Sequence, residues 1–260
     1  MVQTHWVCGI EHSTPCAQRF CKRSMHTVEH RSNLLLQALP EAEFEALRPH
    51  LEVVSLANHA ILIANGAPVT HVYLPHAGAV SMVVGWSDGQ TAQVAMIGRD
   101  SIVGASAALG DEMSMTEAVV TLPGSASAIE VGVLRTAANR SSVIRRLLAR
   151  HEQALHVQVQ QSAACSACHS VEARLSRWLL CARDLCDGKT LPLTQEALAR
   201  AIGVQRNAIS IVAHALREAG IIGYSRGKIE IRDLEALRAT SCECYHTVAV
   251  RQEQLIKAPH

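Results

Sequence analysis

Aromatic side chains are scarce: Phe, Tyr and Trp make up 3% of the 260 residues. Any core must therefore be built from aliphatic residues and alanine. Net charge is almost absent, a formal +1 with histidine neutral, so bulk charge by itself points to no acidic partner. No apolar run approaches the roughly 20 residues a membrane span requires. The first thirty residues hold no hydrophobic segment of a secretion signal. A cytoplasmic protein without a membrane partner is expected, its nine cysteines serving as thiols or metal ligands and not as disulfides. Glycine-rich phosphate loops, paired carboxylates and nucleophile motifs are also missing, and the fourteen histidines scatter. No enzyme and no cofactor are expected. What is plentiful is apolar aliphatic sequence, 48% hydrophobic against 18% charged, enough for two modest folded domains.

The most informative stretch is 193–232. Thr194 is a good helix N-cap, with Glu196 in the first turn where the helix dipole favours an anion. Ala197, Leu198, Ala201 and Ile202 make a short amphipathic helix that Gly203 ends. In a second helix Ile209, Val212, Ala213 and Leu216 face inward, leaving Arg206, Asn207, Ser210, Ile211, His214 and Arg217 outside. Gly220 ends it. Two β-type runs follow, Ile221–Tyr224 and Lys228–Ile231, joined through Ser225-Arg226-Gly227. The order helix, turn, helix, hairpin is that of a winged helix-turn-helix. From Ser170 to Arg232 ten Lys/Arg stand against six Asp/Glu, a local excess that suits phosphate contact.

These residues resemble the DNA-binding domain of the Crp/Fnr family of bacterial transcription regulators, and the resemblance extends upstream to about Asn33. It implies an α+β chain: an N-terminal β jelly-roll of the cyclic-nucleotide-binding type, a long dimerisation helix and a C-terminal winged helix-turn-helix. It implies a homodimer on double-stranded DNA at a near-palindromic operator, with RNA polymerase as a further partner. In this frame Arg206 is expected to pair with guanine and Asn207 to read adenine. Many members carry glutamate at the position of Asn207 and arginine at that of Ile211, so the operator should depart from the usual one. Ile211 would meet a thymine methyl, and Gln205 and Ser210 bases or phosphate. Thr194, Arg226 and Lys228 would hold the DNA backbone.

Within 51–135, short β-type runs (53–56, 60–64, 69–74, 80–84, 93–97, 118–122 and 126–133) are separated by Gly66, Pro68, Pro75, Gly78 and the tight-turn pair Asp88-Gly89, as in a sandwich or roll. Helices at 33–49 lead into it, the second starting at Pro40. Members that bind cyclic nucleotides hold the ribose with a Gly-Glu pair and the phosphate with an arginine about a dozen residues later. Here those elements read Gly104-Ala105 and Thr116-Glu117. Both charged partners are gone, and Glu117 would set an anion beside a phosphate, so cyclic AMP is not expected to be the effector.

Residues 141–169 form one long helix capped at Ser141 or Ser142, with an apolar stripe of Val143, Ile144, Leu147, Leu148, His151, Ala154, Leu155 and Val159. It would face a second copy, its own roll, or both. Cys165-Ser166-Ala167-Cys168-His169 matches the c-type haem signature, but no export signal accompanies it, and small buried residues at a crowded interface explain it better than haem or a redox pair. Cys242 and Cys244, one residue apart with no second pair in view, make a poor zinc site and are expected to be packing. The resulting division is 1–32 a disordered extension, 33–140 the roll, 141–169 the dimerisation helix, 170–245 the DNA-binding domain, with a helix from Val171 to Cys186 ended at Asp187-Gly188, and 246–260 a frayed tail. For 1–32 three readings stay open: a metal or cluster site at Cys8, Cys16 and Cys21, an unstructured tail, or a segment not made because translation begins at Met25.

Overall fold

The computed structural model describes residues 30–87, 91–110, 112–186 and 190–257. Cys8, Cys16, Cys21, Asp88-Gly89 and Asp187-Gly188 lie outside these. Asn33 sets the first helix in place. Its Oδ1 accepts from the backbone N–H of Leu35 and Leu36 at 3.1 and 3.2 Å, while its Nδ2 donates to the carbonyls of Pro75 and Ser101 at 3.0 Å each. One buried amide thus caps α1 (Leu34–Ala38) and ties it to the sheet. Helix α2 (Glu41–Leu47) starts after Pro40, and Phe44 and Leu47 bury toward the same core.

Five antiparallel strands follow: β1 (Glu52–Leu56), β2 (Ile61–Ile63), β3 (His71–Gly85), β4 (Thr91–Ile97) and β5 (Glu117–Glu130). They pair in the order β1-β5-β3-β4, with β2 also on β5. The sequence predicts a break at Pro75 and Gly78, and another after Leu122. Neither exists. β3 runs 15 residues through Pro75 and Gly78, and β5 runs 14 through Pro123 and Gly124. The two strands shift register against each other at this point, between Pro75 and Val80. Their backbones approach so closely that a Cβ on Gly78 would lie 2.6 Å from the Leu122 carbonyl oxygen, and one on Gly124 would fall on the Ala77 carbonyl. Proline and glycine mark bulges here, not turns.

A second correction concerns Val131–Val133, expected in a strand. They open α3 (Val131–Arg140), in which Val131, Leu134 and Ala138 bury at helical spacing. β-branched residues gave the wrong local signal, and packing against the roll overrides it. Helix α4 (Ser142–Cys168) follows, with the Ser141 hydroxyl accepting from the Ile144 N–H. Its apolar stripe faces its own roll: Ile144, Leu147, Leu148 and His151 are buried there. His151 Nε2 accepts from the Ile102 N–H at 3.0 Å, which ties α4 to the roll.

A polar knot joins β3 and β5 to the turn at His30. The buried Ser127 hydroxyl lies 2.7 Å from both His30 Nδ1 and His76 Nε2. Burial, and then the neighbouring His30, push His76 down to about 4, while an unfolded chain takes up that proton near 6.5. The native state therefore binds fewer protons across this window, and stability falls as pH drops from about 6.5 towards 4. We expect a loss of about 1–2 kcal/mol, below the ~3 kcal/mol of a fully dry site. Urea midpoints at pH 7 and pH 5 check this: His76→Asn, which cannot take the proton, should lose less than the parent chain.

The second core belongs to α5 (Val171–Leu185), the short β6 (Thr190–Leu191), α6 (Gln195–Ile202), α7 (Arg206–Glu218), the hairpin β7 (Ile222–Ser225) and β8 (Lys228–Ile231), and α8 (Leu234–Thr240). Leu175, Leu179, Leu198, Ile209, Leu216, Ile222, Ile229 and Leu237 fill it. Ala79, Met96 and Leu122 of the roll complete the same core, and Trp178 Nε1 donates to Gln93 Oε1 at 3.0 Å. The expected frayed tail is also corrected. Residues Cys244–Lys257 form α9, which packs on α4 and buries Val248, and the Tyr245 hydroxyl donates to Asp184 of α5 at 2.6 Å. No helix among the described residues is long and apolar enough to cross a membrane.

Candidate nucleic-acid interface

Helix α6 begins where Thr194 Oγ1 accepts from the Ala197 N–H at 3.1 Å, and ends where Gly203 turns left-handed at φ +69°. The turn sets α7 across α6, and Leu198, Ile202, Ile209 and Ala213 lock the pair. This leaves a continuous outer face on α7. Arg206, Asn207, Ile211, His214 and Arg217 are all exposed, and Ile211 keeps 71% of its surface open, unusual for a large apolar residue away from any core. Gln205, the N-cap residue, makes no side-chain cap, so the first N–H groups of α7 point outward unshielded by a side chain.

The wing sits beside this face. β7 and β8 pair from Ile222 opposite Ile231 to Ser225 opposite Lys228, with β6 on the far edge of β8. The tip is Arg226-Gly227, both at positive φ, and Gly227 packs near the Thr194 side chain. Arg226 and Lys228 are exposed. An exposed helix start, an exposed helix face and a basic hairpin tip therefore lie on adjoining elements.

The family model described as a Crp-like helix-turn-helix domain matches residues 173–240, and that of the cyclic nucleotide-binding domain matches residues 53–141. The chain belongs to the Crp/Fnr family. Among solved structures it is similar to FixK2 of Bradyrhizobium japonicum, at 18% identity and TM-score 0.63, covering 74% of this chain and 98% of that one. It is similar to a crp/fnr-family transcriptional regulator of Eubacterium rectale, at 16% identity and TM-score 0.63, covering 81% and 98%. It is also similar to CLP, a c-di-GMP responsive global regulator of Xanthomonas campestris, at 16% identity and TM-score 0.59, covering 74% and 99%. These likenesses bear on the fold. No curated protein matches the chain by sequence.

This Crp/Fnr chain is thus a transcription regulator with a DNA-binding helix-turn-helix and a cyclic-nucleotide-binding-type roll. Seven of the eight residues singled out for DNA stand exposed on α6, α7 or the wing. The eighth, Ser210, is half-buried and its hydroxyl is committed inward, donating to Gln195 Oε1 at 2.7 Å. Gln195 escaped sequence reasoning because its role is to meet Ser210 across the turn. His214 and Arg217 share the outer face, their side chains 2.9 Å apart.

The roll residues separate. Gly104 is left-handed at φ +82° and Ala105 is buried, and a Cβ on Gly104 would come within 2.9 Å of Ile63 Cδ1. Glu117 instead lines a cavity of about 510 Å³ between the roll and α6, with Ser81, Gln93, Thr194 and Arg200. Neither Gly104 nor Ala105 lines that space.

The structure also assembles a group that sequence reasoning left apart. The ligand atoms of Cys165, His169, Cys242 and Cys244 all lie within 4.8 Å of one another. Cys165 Sγ is 3.6 Å from Cys242 Sγ, and Cys244 Sγ is 3.6 Å from His169 Nδ1. The second pair thought missing from Cys242 and Cys244 is supplied by the end of α4. A scan for C-x-x-C overlooks it, because the pairs are C-x3-H and C-x-C, separated by more than seventy residues.

Proposed function

We propose that the chain acts as a homodimer that reads a near-palindromic operator by placing α7 of each copy in the major groove. The observation that carries this reading is the α7 face: Arg206, Asn207, Ile211, His214 and Arg217 are exposed while Ile209, Ala213 and Leu216 are buried. Arg206 pairs with guanine, Asn207 with adenine, and Ile211 meets a thymine methyl. Gln205 and the α7 N-terminus, with Thr194, Arg226 and Lys228, hold phosphates. Ser210 positions Gln195 and does not read bases.

The dimer seam is on α4, but not along its apolar stripe, which the roll occupies. The opposite face leaves Ala149, Gln153, His156, Gln160, Ala163 and Ala167 exposed. Their spacing of four and three residues in alternation is that of a helix seam, with small residues at its C-terminal end where the helices come closest. A change in the roll alters how this pair of helices sits and so the separation of the two α7 helices. Cyclic AMP is not the effector in this reading, because Ala105 and Thr116 replace the ribose-binding glutamate and the phosphate-binding arginine of the resembled pattern, and Glu117 would set an anion beside the phosphate. RNA polymerase is the partner that the family's mode of action requires.

Selection of bound duplexes from a random pool tests this reading. The expected product is a near-palindrome whose half-sites lie one helical turn apart, about 34–36 Å. Added cyclic AMP should leave its enrichment unchanged. A pool that stays random after selection contradicts the reading.

A further inference from the structure

We propose that Cys165, His169, Cys242 and Cys244 bind one zinc ion tetrahedrally, clipping the end of α4 to the segment that joins α8 to α9. Four features point there. The donor set is three sulfurs and one imidazole nitrogen, the soft, closed set of a structural zinc site. The size suits one ion: metal–sulfur bonds of 2.3 Å in a tetrahedron give sulfur–sulfur edges of about 3.8 Å, against 3.6 Å between Cys165 Sγ and Cys242 Sγ, with all four ligand atoms within 4.8 Å of one another. A cluster of several irons would need its ligands spread wider. The three sulfurs are buried and the imidazole half-buried, as in a site closed to substrate.

The third feature is the outer shell. His169 presents Nδ1 to the sulfurs while its Nε2 lies 3.2 Å from Glu243 Oε1. A carboxylate holding the far nitrogen fixes the tautomer that leaves Nδ1 free to ligate. Gln161 Nε2 donates to Cys244 Sγ at 2.9 Å, a bond that suits a thiolate. The fourth is charge. Binding converts three thiols to thiolates and releases three protons, leaving the ion and its ligands with one net negative charge. Arg177 and Arg174 of α5 lie within electrostatic reach of these cysteines, and Arg177 Nε is buried without a hydrogen-bond partner.

The consequence lies at the joint between α4 and α5. His169 is the C-cap of α4 and Ser170 the N-cap of α5, while Cys242 and Cys244 close the DNA-binding domain. An ion shared by these segments fixes the angle through which any change in the roll must pass. The site does not depend on how α7 reads DNA.

Cobalt titration of the full-length, reduced, metal-stripped protein tests it. We expect one Co2+ per chain, with the visible absorption of tetrahedral cobalt and a thiolate charge-transfer band, both displaced by Zn2+. The exposed Cys168 is outside the set, so C168S should behave as the parent, as should C8S/C16S/C21S. C242S and C244S should lose the signal. E243Q, altered at an exposed carboxylate that does not touch the ion, should bind about 10–100-fold more weakly. Metal loading should raise the melting temperature by roughly 5–10 °C at a hundredfold excess over Kd. A parent chain that gives no such bands overturns the proposal whatever the variants do. So does a signal that survives C242S and C244S, or one lost in C8S/C16S/C21S. Metal binding with no operator preference would instead sink only the DNA reading.

Discussion

Arg206→Ala will lose most operator preference while keeping a weak, salt-sensitive affinity for any duplex. The side chain is exposed at the first position of α7 and caps nothing, so its removal leaves the fold intact. Each bidentate guanine contact is worth about 1–3 kcal/mol of discrimination. A homodimer carries the substitution twice, so the expected loss is about 2–6 kcal/mol, or roughly 30- to 10^4-fold. Non-specific affinity rests on phosphate contacts and survives. Lys228→Ala gives the contrasting pattern, weakening specific and scrambled duplexes alike and lowering the salt slope by about 1. Anisotropy titrations on both duplexes over a salt series separate the two. Unchanged discrimination by Arg206→Ala would remove α7 as the reading element.

Ala163→Glu with Ala167→Glu will yield a monomer. Both alanines are exposed on the folded chain, one turn apart on the face of α4 turned away from the roll. In the proposed two-fold seam, glutamates there would meet their own copies, where like charges repel and large side chains hold the helices apart. Far-UV circular dichroism should be unchanged, and light scattering should report one chain per particle. Operator affinity should fall about 10^2–10^4-fold, because the second half-site is no longer bound at high effective concentration. A dimer that persists in this variant would move the seam elsewhere.

The reading end of the molecule was legible in the sequence because its determinants are local. Thr194 caps one helix, Gly203 turns the chain and Ile209, Ala213 and Leu216 bury one side of the next, all within twenty-five residues. The roll was legible only in outline. Pro75, Gly78, Pro123 and Gly124 look like turn residues from within either strand, and become bulge residues only when β3 and β5 are laid side by side. Helix α3 was hidden behind Val131 and Val133, whose local preference is for strand. The stripe on α4 carried no sign of which surface it would cover. The cluster at Cys165, His169, Cys242 and Cys244 was hidden for a different reason: its two halves meet only because α9 folds back along α4.

The proposed pairing between Arg206 and a guanine edge is the most direct point of attack. In the selected operator, the guanine of each half-site is replaced by 7-deazaguanine, which keeps the base pair and removes the N7 acceptor. The parent protein should lose roughly tenfold or more per half-site, and Arg206→Ala should lose almost nothing further. Equal losses in both proteins, or no loss in either, would contradict the claim that this helix reads the major groove.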